Sequence, residues 1–155
     1  MAVQTTYGQV MGEAIAGMLW DMRNVTVESY AAEGGSIPFG SAVVPGTDVR
    51  KQVKLPTAAS QGFRGIALHE QAHAQDLTTG VAQYLEKETV NVLRKGAVWV
   101  QTVGAVVEGA PAFYINSGAT AGLWDDVDDG TTDATTGVFR TATAGSGLAV
   151  VEIDL

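Results

Sequence analysis

Residues 68–73 read LHEQAH and place His69, Glu70 and His73 in the spacing H-E-x-x-H. On a helix that spacing sets two imidazoles on one face, one turn apart. The carboxylate then sits beside a metal-bound water as general base, which is the chemistry of zinc peptidases. A catalytic zinc also needs a third protein ligand and an open coordination position. The chain has 2 histidines, and the motif uses both. The glycine and third histidine of the metzincins are absent, because His73 is followed by AQDLTTGVAQY. A carboxylate would have to complete the set. Asp76, Glu86 and Glu88 lie downstream, none of them in a second helix of the usual kind.

The elements around the motif argue against it. FRGIAL (63–68) reads as a strand, and Thr78-Thr79-Gly80 closes the segment, so a helix over 67–77 would be short. The preferred reading is a solvated loop or strand end with no catalytic residue and no cofactor. His69 and His73 remain, at most, a site for adventitious zinc or nickel.

A second cluster holds five aspartates, Asp125, Asp126, Asp128, Asp129 and Asp133. Calcium favours such oxygen-rich groups. The EF-hand order fails here, since Val127 holds the middle position before Gly130 and Thr136 stands where the closing Glu belongs. A solvated acidic loop is the plain reading, with Trp124 at its edge either anchoring it or touching a partner. There is no cysteine, no G-x-S-x-G and no P-loop lysine. Enzyme activity therefore has little support.

Composition narrows the partners. Apolar residues make up 46% and charged residues 17%, with 19 glycines and 4 prolines. That is too apolar for disorder and suits many short strands between turns. The net charge of −8 disfavours nucleic acid and anionic membranes. Residues 1–95 carry 8 basic and 9 acidic side chains; residues 96–155 carry Arg140 alone against 8 acids. The C-terminal part thus offers an acidic surface. We expect no signal peptide, because MAVQTTYGQV lacks a basic stretch followed by an apolar one. No apolar run nears the ~20 residues of a membrane span.

Residues 1–23 form a distinct N-terminal segment. Met11, Ile15, Met18 and Leu19 fall at helical spacing, yet Gly8, Gly12 and Gly17 interrupt it. A short helix and an extended arm both remain open. From residue 24 a single β-domain is expected to 155. Its strands are NVTVESY (with Val25 and Val27 on one face), SIPFGSAVV (36–44), VRKQVKL (49–55), FRGIALH (63–69) and ETVNVL (88–93). After a turn at Lys95-Gly96 come GAVWVQTV (96–103), AFYIN (112–116), GVFRTAT (137–143) and LAVVEIDL (148–155). Segments 70–83 and 117–136 read as longer loops. About 8–10 short antiparallel strands predict an all-β sandwich or jelly-roll-like barrel.

The order of these segments resembles the structural cement proteins of tailed bacteriophages, which decorate and lock the icosahedral head. The matching stretches are EGGSIPFGSAVV (33–44), FRGIAL (63–68), ETVNVLRKGAVWV (88–100) and GVFRTATAGSGLAVVEIDL (137–155). The resemblance covers the chain from about residue 24 and rests on the order of short pieces. It implies self-association, as a dimer before a trimer, and binding across neighbouring major capsid protein subunits. The location implied is the outer surface of the virion's capsid, after synthesis in the host cytoplasm. It also makes LHEQAH a variable loop. The contact candidates are Tyr7, Met11, Ile15, Met18, Leu19 and Trp20 on the arm, Arg50, Lys51 and Lys54 on a basic strand, and Trp124. The competing readings are a zinc hydrolase built on LHEQAH and a virion surface adhesin using the 117–136 loop with Trp99 and Trp124.

Overall fold

Short apolar runs between glycines become strands. The computed structural model describes residues 14–71 and 83–155. They hold β1 (Thr26–Ala32), β2 (Ile37–Pro38), β3 (Ala42–Pro45), β4 (Gln52–Lys54), β5 (Gly65–Ala67) and β6 (Gln83–Tyr84). These are followed by β7 (Thr89–Gln101), β8 (Pro111–Ile115), β9 (Trp124–Asp125), β10 (Thr132–Phe139) and β11 (Leu148–Asp154). The fold is all-β, as expected, and no helix occurs among the described residues.

Nine strands hydrogen-bond in the order β1-β4-β3-β5-β7-β11-β10-β8-β9. Strand β1 also pairs with β7, so β1, β4, β3, β5 and β7 close into a barrel. The strands beyond β7 curl back until Trp124 of β9 bridges to Thr102, just past the end of β7. Strands β2 and β6 form a separate small pair. The ladders are antiparallel with one exception, the parallel pairing of β1 with β4.

Successive side chains of a strand point to opposite faces. Strand β3 sends Val43 into the barrel, beside Tyr30, Ile37, Val53, Ala67, Tyr84, Val90 and Val92. It sends Ala42 and Val44 the other way, to a core that holds Ile66, Leu93, Val98, Trp124, Phe139 and Val151. Strand β5 divides likewise, with Ala67 in the barrel and Ile66 in the second core. Burial on both faces is why AVV and GIAL are unbroken apolar runs rather than alternating ones.

The expected turn at Lys95-Gly96 does not exist: β7 runs through it for 13 residues. Gly96 has φ 133, and just before it the β1 register shifts: Thr26 faces Lys95 and Val27 faces Leu93, which leaves Arg94 as the extra residue. Strand β7 changes neighbours across this irregularity, with β1 and β5 along its first half and β11 along its second. The irregularity also separates Val25, which packs on the core, from Val27, which is exposed. Other expected strands are shorter than read, FRGIALH among them, which keeps only Gly65–Ala67. SIPFGSAVV breaks at Gly40, φ 79, into β2 and β3. VRKQVKL contributes only Gln52–Lys54, with Arg50 and Lys51 in the preceding turn.

Gly65 sets the spacing between β5 and β7. Its φ is 149, and a Cβ there would lie 2.3 Å from the Leu93 carbonyl oxygen and 2.5 Å from Val92 Cγ1. Gly65→Ala combines steric overlap with backbone strain and is expected to cost about 2–4 kcal/mol in denaturant unfolding. Gly62 shares the positive φ but has open space around it. Gly62→Ala is expected to cost only about 1 kcal/mol; equal losses at the two sites would show that the close approach to β7 is not limiting.

Tyr84 is fully buried, and its hydroxyl donates to the Leu68 carbonyl at 2.7 Å. Burial pushes this phenol up from its ordinary value near 10 to about 12, and the negative charges of Glu70 and Glu88 add to the shift. Burial, and then Asp133, raises Tyr114 in the same direction. A folded-state pKa above the unfolded one stabilises the fold while the ring stays neutral. That contribution is complete below pH 10 and is lost as pH climbs through about 12. Tyr84→Phe is expected to flatten the alkaline fall in stability across this window, at a cost of about 1–2 kcal/mol near neutrality. Identical alkaline slopes in the two proteins would remove Tyr84 as a cause.

Candidate functional site

The helical spacing in the N-terminal segment does not produce a helix over residues 14–23. The chain there is an extended arm laid along the second half of β7. The Gly17 N–H donates to the Trp99 carbonyl at 2.7 Å, the Trp99 N–H to Met18 at 2.9 Å, and the Trp20 N–H to Ala97 at 2.9 Å. Leu19 lies opposite Val98. From the other side, the His69 N–H donates to the Gly17 carbonyl at 2.8 Å.

Glycine makes this docking possible. Gly17 has φ 84, and a Cβ there would stand 2.6 Å from the His69 nitrogen and 3.0 Å from the Gly40 nitrogen. A Cβ on Gly40 would in turn stand 2.9 Å from the Gly17 nitrogen. The two glycines interlock. In the sequence, Gly17 argued only against a helix; its close approach needs the fold to become visible.

The docked arm divides its side chains. Leu19 turns inward against the core. Ile15, Met18, Trp20 and Met22 face solvent, with 50%, 38%, 46% and 85% of their surface exposed. Such a row of large apolar side chains on one short segment is the usual signature of an interaction surface.

A cleft of about 670 Å³ opens beside Trp20, between the arm and the β10–β11 sheet. Three ion pairs line it: Arg23 with Asp21 at 2.7 Å, Lys95 with Asp154 at 2.6 Å, and Arg140 with Glu152. The Arg23 hydrogen bond holds the Asp21 carboxyl below its ordinary range, and Glu152 raises Arg140. Sequence reading missed this cleft. Glu152 and Asp154 look like the plain solvated face of the last strand. Only the register, which sets Asp154 opposite Lys95, shows that they meet cations across strands.

The other candidates fall elsewhere. Arg50 and Lys51 are exposed, and Lys54 is half-buried on β4. Strand β4 pairs with the end of β1 that faces Thr89, at the start of β7. The arm lies against residues 97–99, so at 3.3 Å per residue the two groups are roughly 30 Å apart along β7. Trp124 is corrected from a partner contact to a core residue. It is fully buried on β9, and its indole N–H donates to the Gly40 carbonyl at 2.9 Å. The rest of the 117–136 segment carries β9 and the start of β10. Its acids cap backbone: Asp126 accepts from the Val107 N–H at 3.1 Å, Asp129 from Thr131 at 2.9 Å, and Asp133 from Ser60 at 2.7 Å. Tyr7, Met11, His73 and Asp76 lie outside the described residues.

His69 and Glu70 follow β5 in non-helical backbone. The His69 ring stands edge-on to Phe39, with centroids 4.9 Å apart. Glu70 accepts from the Asn91 amide at 3.3 Å. His69 therefore does not sit on the helical face that a zinc peptidase motif requires. Among the described residues no group of three or more His, Cys, Asp or Glu is placed to hold a metal ion.

A family model described as structural cement protein (E217 gp24/Pam3 gp6) matches residues 3–154. The chain belongs to the phage structural cement protein family. Among solved structures, this cement protein is similar to a chain in the capsid of Myoviridae phage XM1. The two share 18% identity and a TM-score of 0.79, over 99% of this chain and 98% of that one. At that identity the likeness is one of fold. Nothing among curated proteins matches. Family membership agrees with the resemblance carried by the order of the strand segments, and it makes this cement protein a structural component of a phage.

Gly17→Ala is expected to lift the cement protein's arm from β7 while leaving the barrel folded. Hydrogen exchange at the Trp20 and Trp99 amides should accelerate about 10–100-fold, with Val43 and Ile66 unchanged. Unaltered protection at Trp20 and Trp99 would show that the glycine interlock does not hold the arm.

Proposed function

We propose that this cement protein binds the outer surface of the mature icosahedral head, bridges neighbouring major capsid protein subunits and stabilises the shell. The observation that carries the reading is the exposed row Ile15, Met18, Trp20 and Met22, held on a docked arm in a chain of this family. The fold shared with a chain of the phage XM1 capsid supports it.

Such a role needs rigid contact surfaces in many copies rather than an active site. A standard interface buries about 1,600 Å². Once one contact is made the second becomes intramolecular, so modest contacts reach avidities roughly 10²–10⁴-fold above either alone. The arm and the basic Arg50, Lys51 and Lys54 group give one copy two separated contacts, which suits a bridge. Copies self-associate, as a dimer before a trimer. A site that spans two subunits is complete only when the lattice spacing is that of the mature shell, which makes binding stage-specific. Neither nucleic acid nor membrane is a partner, and the role is non-enzymatic.

Sedimentation with undecorated mature heads tests this. Wild-type protein should pellet saturably, at a copy number commensurate with the lattice. Trp20→Ser is expected to weaken binding by about 10–100-fold, as loss of a central aromatic anchor does. Wild-type protein that stays in the supernatant at every concentration would end the proposal.

A further inference from the structure

We propose that the cleft beside Trp20 receives an arginine or lysine side chain from the capsid subunit. This rests on the capsid-binding reading and assigns the arm surface a specific partner chemistry. The charges in the cleft point to it. Its cations are already matched, Arg23 by Asp21, Lys95 by Asp154 and Arg140 by Glu152. Glu108 also lines the cleft, is exposed, and makes no ion pair among the described residues, although its charge is felt at Arg140. The cleft is therefore one negative charge in surplus. An anion entering it would have to break an existing pair, whereas a cation completes the set.

The wall supplies a second feature. Trp20 is 46% exposed and lines the cleft, so its indole is open to an incoming group. Tryptophan is the best aromatic partner for a cation, and arginine the commonest one. Trp20 also belongs to the apolar row on the arm, so the cleft continues the proposed contact surface. A volume of about 670 Å³ admits a long side chain with some flanking backbone. The paired carboxylates keep acceptor capacity. Asp154 and Glu152 are 70% and 44% exposed at the side chain, and a carboxylate accepts more than one donor. The acidic bias of residues 96–155 adds long-range attraction for a basic partner.

Two measurements on the full chain test this. First, the Trp20 indole resonance is followed while a blocked Gly-Arg-Gly peptide, or a blocked Gly-Glu-Gly peptide, is added. A saturable shift with the arginine peptide, absent with the glutamate peptide and abolished in Glu108→Arg, supports the cleft's cation preference. No arginine shift, or equal shifts with both peptides, overturns it. Second, Glu108→Arg and Glu108→Gln are sedimented with mature heads at low and high salt. Glu108→Arg should bind about tenfold more weakly and lose much of the salt dependence, with Glu108→Gln between it and wild type. Wild-type binding by Glu108→Arg overturns the proposal and leaves capsid binding standing. Failure of wild type itself to bind heads ends the capsid reading, and the peptide titration still decides the chemistry of the cleft.

Discussion

Strand β7 has apolar partners on both faces: Val90 and Val92 fill one core, and Leu93, Val98 and Val100 the other. It also has neighbours along both edges, with β1 and the arm on one side and β5 and β11 on the other. Two cores that share a strand cannot be repacked separately, because moving one face of β7 moves the other. The side chains flanking this strand are constrained in volume from two directions. Gly65 and Gly96 are where that constraint reaches the backbone. One lets β5 approach β7, and the other lets β7 pass from one set of partners to the next.

The arm depends on the same strand. Its backbone bonds go to Ala97 and Trp99, and Leu19 is its apolar anchor on the core. Once those groups are satisfied, the remaining side chains have nowhere to go but outward. The exposure of Met18 and Trp20 is therefore a consequence of register. Leu19 must face in opposite Val98, so its neighbours on either side face out. A fold that holds an arm flat against a rigid strand presents its apolar residues at a fixed height. A row held in this way is preformed, and little freedom would be left to lose if a surface packed on it.

Legibility in the sequence followed period and failed at long range. LAVVEIDL shows its alternation openly, and Ala149, Val151 and Ile153 are buried as the pattern requires, whereas Leu155 in the same phase is exposed and Val150 in the other is buried. The expected all-β class came from many such runs between glycines. Lys95-Gly96 misled because a glycine beside a charge reads as a turn, whereas here it is an irregularity inside a paired strand. Residues 14–20 left helix and arm both open for a related reason. Helical spacing of apolar residues is a local signal, and the partner that overrides it, β7, lies far along the chain. Trp124 sits among aspartates and looks like a surface residue; its burial depends on Gly40 and Phe63, both distant in sequence. The cleft was invisible because ion pairs between strands exist only once register is set.

The stretch LHEQAH shows how the same residue types serve different ends in different backbones. The H-E-x-x-H zinc motif needs both imidazoles on one helix. Here three consecutive N–H groups, of Ala67, Leu68 and His69, donate to Ser41, Asn91 and Gly17 respectively, each in a different segment. Leu68 is buried in the core, and its carbonyl takes the Tyr84 hydroxyl. That commits the chain to extended backbone up to and including His69. The His69 N–H is one of the bonds that fasten the arm, and the ring beside it packs edge-on against Phe39, next to the Gly40 that interlocks with Gly17. What looks like the start of a metal site is the point where β5, the Phe39-Gly40 corner and the arm are tied together. The tie fixes the arm against β7 and so sets where its exposed side chains stand.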